Sequence, residues 1–199
     1  MCIRDSFVGN LLIDTLRYNR TRLQRPVLFS IMGLKEKNYF LLTLNRHALL
    51  NNDAVLKDLF RIILEKTDKP IVAPLHTYVK NKLATLGIVS DRLHILPPQP
   101  YLAFGYLVNH AQAIITDSGN VAEEATFLGI PCITLNNYAE HPETVTVGTN
   151  RLVGEDPKAL TEALETLGKG EWPTGQLPER WDGHAAERIV QTLLKELKL

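Results

Sequence analysis

The stretch AIITDSGNVAEEATFLGIPCITL, residues 113–135, decides the fold class of this chain. It begins with a short apolar run, Ala113–Thr116, passes through a turn of small and polar residues, Asp117–Asn120, and ends in a second apolar run, Pro131–Leu135. Between the two runs, the apolar residues of VAEEATFLG recur at helical spacing. A strand, a tight turn, a helix and a second strand are typical of the β-α-β units that build parallel sheets.

The same alternation extends along most of the chain. The predicted strands are Asn38–Leu44, Pro70–Leu75, Leu93–Leu96, Ala113–Thr116, Pro131–Leu135 and a short one at Arg151–Gly154. The predicted helices lie in the segments NDAVLKDLFRIILEKT with Asp53 as cap, YVKNKLATLG, PYLAFGYLVNHA, VAEEATFLG, DPKALTEALETLG with Asp156 as cap, and residues 185–197. Short apolar strands that alternate with helices predict an α/β fold, a doubly wound, Rossmann-like parallel sheet covered on both faces.

Ligands of such sheets bind outside the carboxyl ends of the strands. The loops that follow the predicted strands are therefore the places to look for a site: Asn45–Asn52, His76–Tyr78, Pro97–Tyr101, Asp117–Asn120 and Asn136–Glu143.

Composition argues against several classes of partner. The chain has 199 residues, of which 45% are hydrophobic, and its 22 basic residues balance its 22 acidic ones. Zero net charge argues against nucleic-acid binding and against an electrostatic membrane surface, and no apolar run approaches the ~20 residues that span a bilayer. Cys2 and Cys132 have neither disulfide nor metal-site spacing, so we predict a reducing, cytoplasmic location and no metal.

The turn Asp117–Asn120 is a candidate anion site. It places Ser118, Gly119 and Asn120 at a helix N-terminus, where free N–H groups and the helix dipole favour a phosphate. Glu124 is four residues after Asn120, on the same helix face, and could accept the two hydroxyls of a ribose.

A second interpretation of the two glutamates is structural. Asn120 and Glu123 have the N-x-x-E spacing of a capping box, and acids in a first turn favour the dipole without any ligand. The local sequence alone favours this capping interpretation for the pair.

A longer pattern adds a family resemblance. The segments LPPQPYLAFGYLVNHAQAIITDSGNVAEEATFLGIPCITL, EHPETVTVGTNRLVG and WDGHAAERIV resemble, in order and spacing, the C-terminal half of bacterial UDP-N-acetylglucosamine 2-epimerases. FVGNLLIDTL resembles the passage from that family's first domain into its second. The resemblance implies two Rossmann-like domains in the glycosyltransferase-B arrangement, with a UDP-sugar between them, and this chain as the second domain.

The resemblance also implies domain boundaries. Residues 1–6, MCIRDS, have no signal-peptide pattern and are predicted to be a non-native leader. Residues 7–37 are an interdomain segment and helix, residues 38–182 the UDP-binding domain, and residues 183–199 the C-terminal helix.

Family roles transfer to matching positions. The diphosphate turn matches Ser118, Gly119 and Asn120, with Asn120 in place of a second glycine, and the ribose-binding acid matches Glu124. The remaining matches are the aromatic residue beside uracil, a nearby glutamine and a histidine after the second strand: Phe104, Gln99 and His76.

Two further positions depart from the family. The T-x-H-R motif of the family reads T-L-N-R here, so Asn45 replaces a histidine important for activity, whereas Arg46 is kept. Asn cannot act as an acid or base near neutral pH. The family's ERPE reads EHPE, so His141 replaces an arginine that contacts the diphosphate, and histidine is a weaker phosphate partner.

The leading hypothesis is therefore the UDP-binding half of a UDP-N-acetylglucosamine 2-epimerase-like isomerase, without a cofactor. The family's catalytic carboxylates lie in its first domain, so this chain alone is expected to bind UDP weakly and not to epimerise. The expected partners are a UDP-sugar and the N-terminal domain of a homodimeric complete protein. The alternatives are the donor-nucleotide domain of a glycosyltransferase-B enzyme and a non-catalytic UDP-sugar-binding relative.

Overall fold

A six-stranded parallel sheet forms the centre of the computed structural model, which describes residues 5–197. The strands are β1 (Phe40–Thr43), β2 (Ile71–Pro74), β3 (Leu93–Leu96), β4 (Ala113–Thr116), β5 (Cys132–Thr134) and β6 (Asn150–Leu152). The helices are α1 (Leu11–Asn19), α2 (Val27–Ile31), α3 (His47–Leu50), α4 (Asp53–Lys66), α5 (Thr77–Thr85), α6 (Tyr101–His110), α7 (Gly119–Leu128), α8 (Glu143–Thr146), α9 (Pro157–Gly168) and α10 (Ala185–Leu197). All six predicted strands and the predicted doubly wound α/β class are confirmed.

The strands are ordered β3-β2-β1-β4-β5-β6, and each neighbouring pair is parallel. Strand order therefore reverses between β1 and β4, where Phe40 is in register with Ala113 and Thr43 with Thr116. Crossovers leave β1 and β4 toward opposite halves of the sheet, which opens a crevice at their carboxyl ends.

Alternation along the strands produces two cores, one on each face of the sheet. Phe40, Leu42 and Ile115 pack with residues of α4, α5 and α9 on one face. Leu41 and Ile114 pack with residues of α2, α6 and α7 on the other. Burial on both faces explains why the strands have near-continuous apolar runs rather than apolar–polar alternation.

The segment before β1 is tied to the C-terminal end of the chain. It contains α1, a 3-10 turn at Arg20–Arg22, and α2, so it holds two helices where one was predicted. The Asp14 carboxylate of α1 accepts the backbone N–H groups of Ala185 (3.0 Å) and Ala186 (2.7 Å), at the start of α10. It thereby caps a helix 171 residues away.

Helix ends agree with the sequence in part. The predicted cap Asp156 is confirmed, since its side chain accepts the N–H of Lys158 at 2.8 Å. The predicted cap Asp53 is wrong: it is the first residue of α4, and the preceding Asn52 side chain accepts the N–H of Val55 at 3.3 Å.

Two further observations concern the predicted leader and the length of the helices. Residues 1–4 of the predicted leader lie outside the described residues, and residues 5 and 6 have no regular secondary structure. Within residues 5–197, no helix combines the length and the apolar character needed to cross a bilayer.

Candidate functional site

The crevice between β1 and β4 begins at two hydroxyl groups. The side chains of Thr43 and Thr116, the last residues of these strands, are hydrogen-bonded at 2.6 Å. The backbone N–H of Ser118 donates to the Thr116 hydroxyl at 2.9 Å. The turn after β4 is therefore anchored to the end of the neighbouring strand.

Asp117 fixes the two strand ends relative to each other. It is 1% exposed, and its Oδ2 accepts the backbone N–H groups of Asn45 and Arg46, both at 2.7 Å. Its carbonyl oxygen accepts Arg46 Nε at 2.7 Å and Asn136 Nδ2 at 3.0 Å. These contacts organise the turn after β4 and hold it against the loop after β1.

Helix α7 begins with backbone donors that have no acceptor among residues 5–197. Ser118 is its N-cap residue, and the Ser118 side chain makes no capping hydrogen bond. The first N–H groups of an α-helix have no acceptor within the helix, and the first helical bond of α7 is that from Ala122 to Ser118. A Cβ added at residue 119 would lie 2.9 Å from the Glu140 carboxyl carbon, so the flexible Glu140 side chain lies directly over the first residue of α7.

The predicted capping box between Asn120 and Glu123 is wrong. Asn120 is exposed, and the Glu123 carboxylate turns to partners distant in sequence. It accepts a hydrogen bond from Asn10 Nδ2, on the segment before β1, and it lies 2.8 Å from His141 Nε2. Burial raises the pKa of Glu123, while Asn10 and His141 act in the opposite direction.

Glu124 is an unusually buried acid. It is 6% exposed, and no hydrogen bond to its carboxylate is found within residues 5–197. Burial, and after it the charge of Glu123, raises the pKa of Glu124 to about 7. It lines a small enclosed cavity between α1, α6 and α7, together with Tyr101 and Leu128. Near neutral pH this carboxyl group is therefore partly protonated, and it can donate as well as accept a hydrogen bond.

Arg46 crosses the mouth of the crevice. Its guanidinium donates to the Tyr138 hydroxyl and forms an ion pair with Glu140, both in the loop after β5. The Arg46 guanidinium also lies 5.1 Å from the Tyr138 ring centroid. The loop after β5 is thus fastened to the loop after β1 across the start of α7.

Asn45 is hydrogen-bonded to a neighbouring cluster of aromatic side chains. Its side chain and carbonyl oxygen accept from the Tyr78 hydroxyl, the latter at 3.2 Å. The Tyr78 ring stacks with both His76 and His47, at centroid distances of 5.8 Å. His76 is the N-cap residue of α5 and does not cap it with its side chain.

Gln99 and Phe104 lie at the start of α6. Gln99 Nε2 donates to the Pro97 carbonyl oxygen at 2.7 Å, and half-buried Phe104 packs against the core. Within the described residues, no hydrogen bond or ring contact joins either side chain to the turn at 117–120.

Sequence reasoning missed Tyr78, Tyr138 and Glu140 as members of the site. All three lie in segments that follow strands, His76–Tyr78 and Asn136–Glu143, which the sequence had indicated as places to search; in the structure Tyr78 is in the first turn of α5. A count of polar residues in those loops could have found them. Within the described part of the chain, no group of three or more His, Cys, Asp or Glu side chains could hold a metal ion.

Together, the strand order and the crevice over α7 define a Rossmann-like α/β domain. A family model described as UDP-N-acetylglucosamine 2-epimerase matches residues 6–194. The chain therefore belongs to the UDP-N-acetylglucosamine 2-epimerase family, which confirms the predicted resemblance.

Individual relatives agree with the family match. The UDP-N-acetylglucosamine 2-epimerase of Methanocaldococcus jannaschii is 35% identical over 201 residues, covering 94% of this chain and 53% of the relative. A structure of UDP-GlcNAc 2-epimerase from that organism superimposes with a TM-score of 0.81 and 32% identity, over 96% of this chain and 55% of that one. The UDP-GlcNAc 2-epimerase of Neisseria meningitidis, bound to UDP-GlcNAc, has a TM-score of 0.79 and 28% identity, over 94% and 54% of the two chains. The chain thus spans about half the length of the curated relatives it matches.

Proposed function

We propose that this chain is the UDP-binding domain of an isomerase that interconverts UDP-N-acetylglucosamine and UDP-N-acetylmannosamine. The observation that carries the proposal is the crevice between β1 and β4, where the N-terminus of α7 meets Arg46 and the buried Glu124 lies one turn further on. A nucleoside diphosphate needs hydrogen-bond donors and a positive charge at its phosphates and an acceptor at its ribose. The start of α7, Arg46 and Glu124 offer these groups in that order.

In this proposal the diphosphate is held at the start of α7. The backbone N–H groups of Gly119 and Asn120 and the side-chain hydroxyl of Ser118 donate to the phosphate oxygens, and Arg46 supplies a fixed positive charge. The exposed Asn120 amide adds a donor where the family has glycine. His141 and His76 contribute from the loops on either side.

Glu124 takes the ribose hydroxyls, and uracil lies toward Gln99 and Phe104. Two acids beside a diphosphate would ordinarily repel it. Two features reduce this repulsion: the pKa of Glu124 is raised to about 7, and His141 Nε2 lies 2.8 Å from Glu123.

The role of this domain in the reaction is retention of UDP. In the family, a proton leaves C2, UDP is eliminated, and UDP adds again after the glycal intermediate has rotated. UDP must stay bound between elimination and addition, and the N–H groups of α7 with Arg46 serve that purpose. Asn45 cannot exchange a proton near neutral pH, so we place the acids and bases in an N-terminal domain of the complete protein, which we propose is a cytoplasmic homodimer.

Calorimetric titration tests the binding site. The 199-residue chain should bind UDP weakly, and Glu124→Ala should weaken binding at least tenfold, because loss of two hydrogen bonds to ribose costs about 1.5 kcal/mol or more. Equal affinity of the two proteins would remove the ribose assignment. Lack of UDP binding by the complete protein would instead favour a non-catalytic relative. The chain alone should not convert UDP-N-acetylglucosamine, and turnover without further domains would refute the placement of the acids and bases.

One observation keeps a second function open. The amide of Asn45, hydrogen-bonded to Tyr78, occupies the place of an ionisable family residue. A glycosyltransferase donor domain needs the same nucleotide contacts but no proton exchange at C2 from this position. Product analysis of the complete protein separates the two: N-acetylmannosamine, free or UDP-linked, for the isomerase, and an acceptor-linked glycoside for the transferase.

A further inference from the structure

The Glu140 carboxylate lies where the proposed function places a phosphate. A Cβ added at Gly119 would be 2.9 Å from the Glu140 carboxyl carbon and 3.2 Å from its Cβ, so the side chain covers the first residue of α7. Glu140 also forms an ion pair with Arg46. A carboxylate beside a helix N-terminus and an arginine has the same two kinds of partner as a bound phosphate.

A phosphate and this carboxylate cannot be present together. Both would occupy the space over Gly119, and both carry negative charge. Glu140 belongs to the irregular loop between β5 and α8, so it can turn away without breaking a helix or a strand. Its ion pair faces solvent, with 39% of the Glu140 and 30% of the Arg46 side chain exposed, and such pairs are weak.

We propose that Glu140 is an internal competitor for the phosphate site and thereby determines its affinity and specificity. The inference rests on the proposed function, because it takes the start of α7 as the place of the diphosphate. A diphosphate, with more charge and more acceptor oxygens than a carboxylate, displaces Glu140 and takes over Arg46. Anions with less charge do not displace Glu140. The free energy needed to displace Glu140 weakens the binding of every phosphate ligand. A nucleoside without phosphate leaves Glu140 in place, so its binding is not weakened.

Titration with three ligands tests this inference. In Glu140→Gln, which keeps the shape of the side chain and removes its charge, the Kd of UDP should fall roughly fivefold, the scale of a solvent-exposed ion pair together with loss of charge repulsion. The Kd of inorganic pyrophosphate should fall by a similar factor, and the Kd of uridine should not change. Glu140→Ala should tighten UDP and pyrophosphate as well, which excludes a gain from the new amide donor of glutamine. Glu171→Gln removes an exposed charge after α9 and should leave all three values unchanged.

The outcomes separate the inference from the function on which it rests. An unchanged or higher Kd of pyrophosphate in both Glu140 variants, with folding verified by an unaltered Tm, overturns the inference even where UDP binds well. Equal tightening of uridine also overturns it, because that result indicates a general opening of the site. If pyrophosphate binds more tightly to the variants while no protein binds UDP, the competitor role stands and the UDP assignment fails.

Discussion

Replacing Glu124 by glutamine should stabilise the folded chain, and by an amount that depends on pH. The substitution keeps the size of a side chain that is 6% exposed and removes its charge. In the unfolded chain this carboxyl group titrates near its usual pKa of 4.5, whereas burial, with the charge of Glu123, raises the pKa to about 7 in the folded chain.

Proton binding determines whether Glu124 raises or lowers the free energy of unfolding. Between the two pKa values the folded state holds more protons than the unfolded state, so this group lowers stability as the pH rises from about 4.5 to about 7. One pKa unit corresponds to about 1.4 kcal/mol, so a separation of about 2.5 gives a penalty of about 3 kcal/mol at pH 8. At about pH 5 the penalty is less than about 1 kcal/mol, because most of the separation lies above that pH.

Urea unfolding at pH 5 and pH 8 measures the difference. For a slope of about 2 kcal/mol per molar urea, the midpoint of Glu124→Gln should exceed that of the wild type by about 1.5 M at pH 8 and by less than about 0.5 M at pH 5. Glu171→Gln, an exposed acid, should change neither midpoint appreciably. The same difference at both pH values, or a Glu124→Gln variant less stable than the wild type at pH 8, would contradict a raised pKa of Glu124 in the folded chain.

Three further predictions concern the scaffold. Gly129→Ala should destabilise the chain by about 1 kcal/mol in thermal unfolding, because Gly129 ends α7 at a φ of 68° with open space around it, so backbone strain alone should account for the loss. Asp117→Ala should cost about 2 to 3 kcal/mol in urea, since it leaves two N–H groups after β1 without their acceptor, and a loss below about 0.5 kcal/mol would contradict that role. In a Cys2→Ser background, Cys132 should resist a thiol reagent at pH 8 until the chain unfolds, since it is fully buried and burial raises its pKa to about 12; labelling at the rate of a free thiol would disprove this.

The sequence predicted the sheet well because the information is local. Each strand is a short apolar run bounded by turn residues, and burial on both faces demands such runs. The switch point between β1 and β4 then follows from strand order, and that order places the turn at 117–120 next to the loop that contains Arg46. These features needed no knowledge of individual side-chain directions.

The contacts of Glu123 and Glu140 could not be predicted from the local sequence. The spacing of Asn120 and Glu123 fits a capping box, but Glu123 instead meets Asn10, 113 residues earlier in the chain. Glu140 is one of several polar residues in its loop, and its position over Gly119 depends on how that loop folds back. Contacts that depend on tertiary structure override the local preference in both cases.

The bond between Asp14 and the start of α10 has a consequence for the order of folding. During synthesis α1 leaves the ribosome before α10, because the residues that Asp14 caps begin 171 positions later. Helix α1 has only nine residues, too few for a stable isolated helix in water. It therefore needs partners from distant parts of the chain, on α7 and α10, and since Asn10 precedes α1 directly, the environment of Glu123 is completed only when this segment docks. A nascent chain stalled before α10 would consequently have the sheet and the residues around Glu123 but leave the Asp14 carboxylate without the two N–H groups that it accepts.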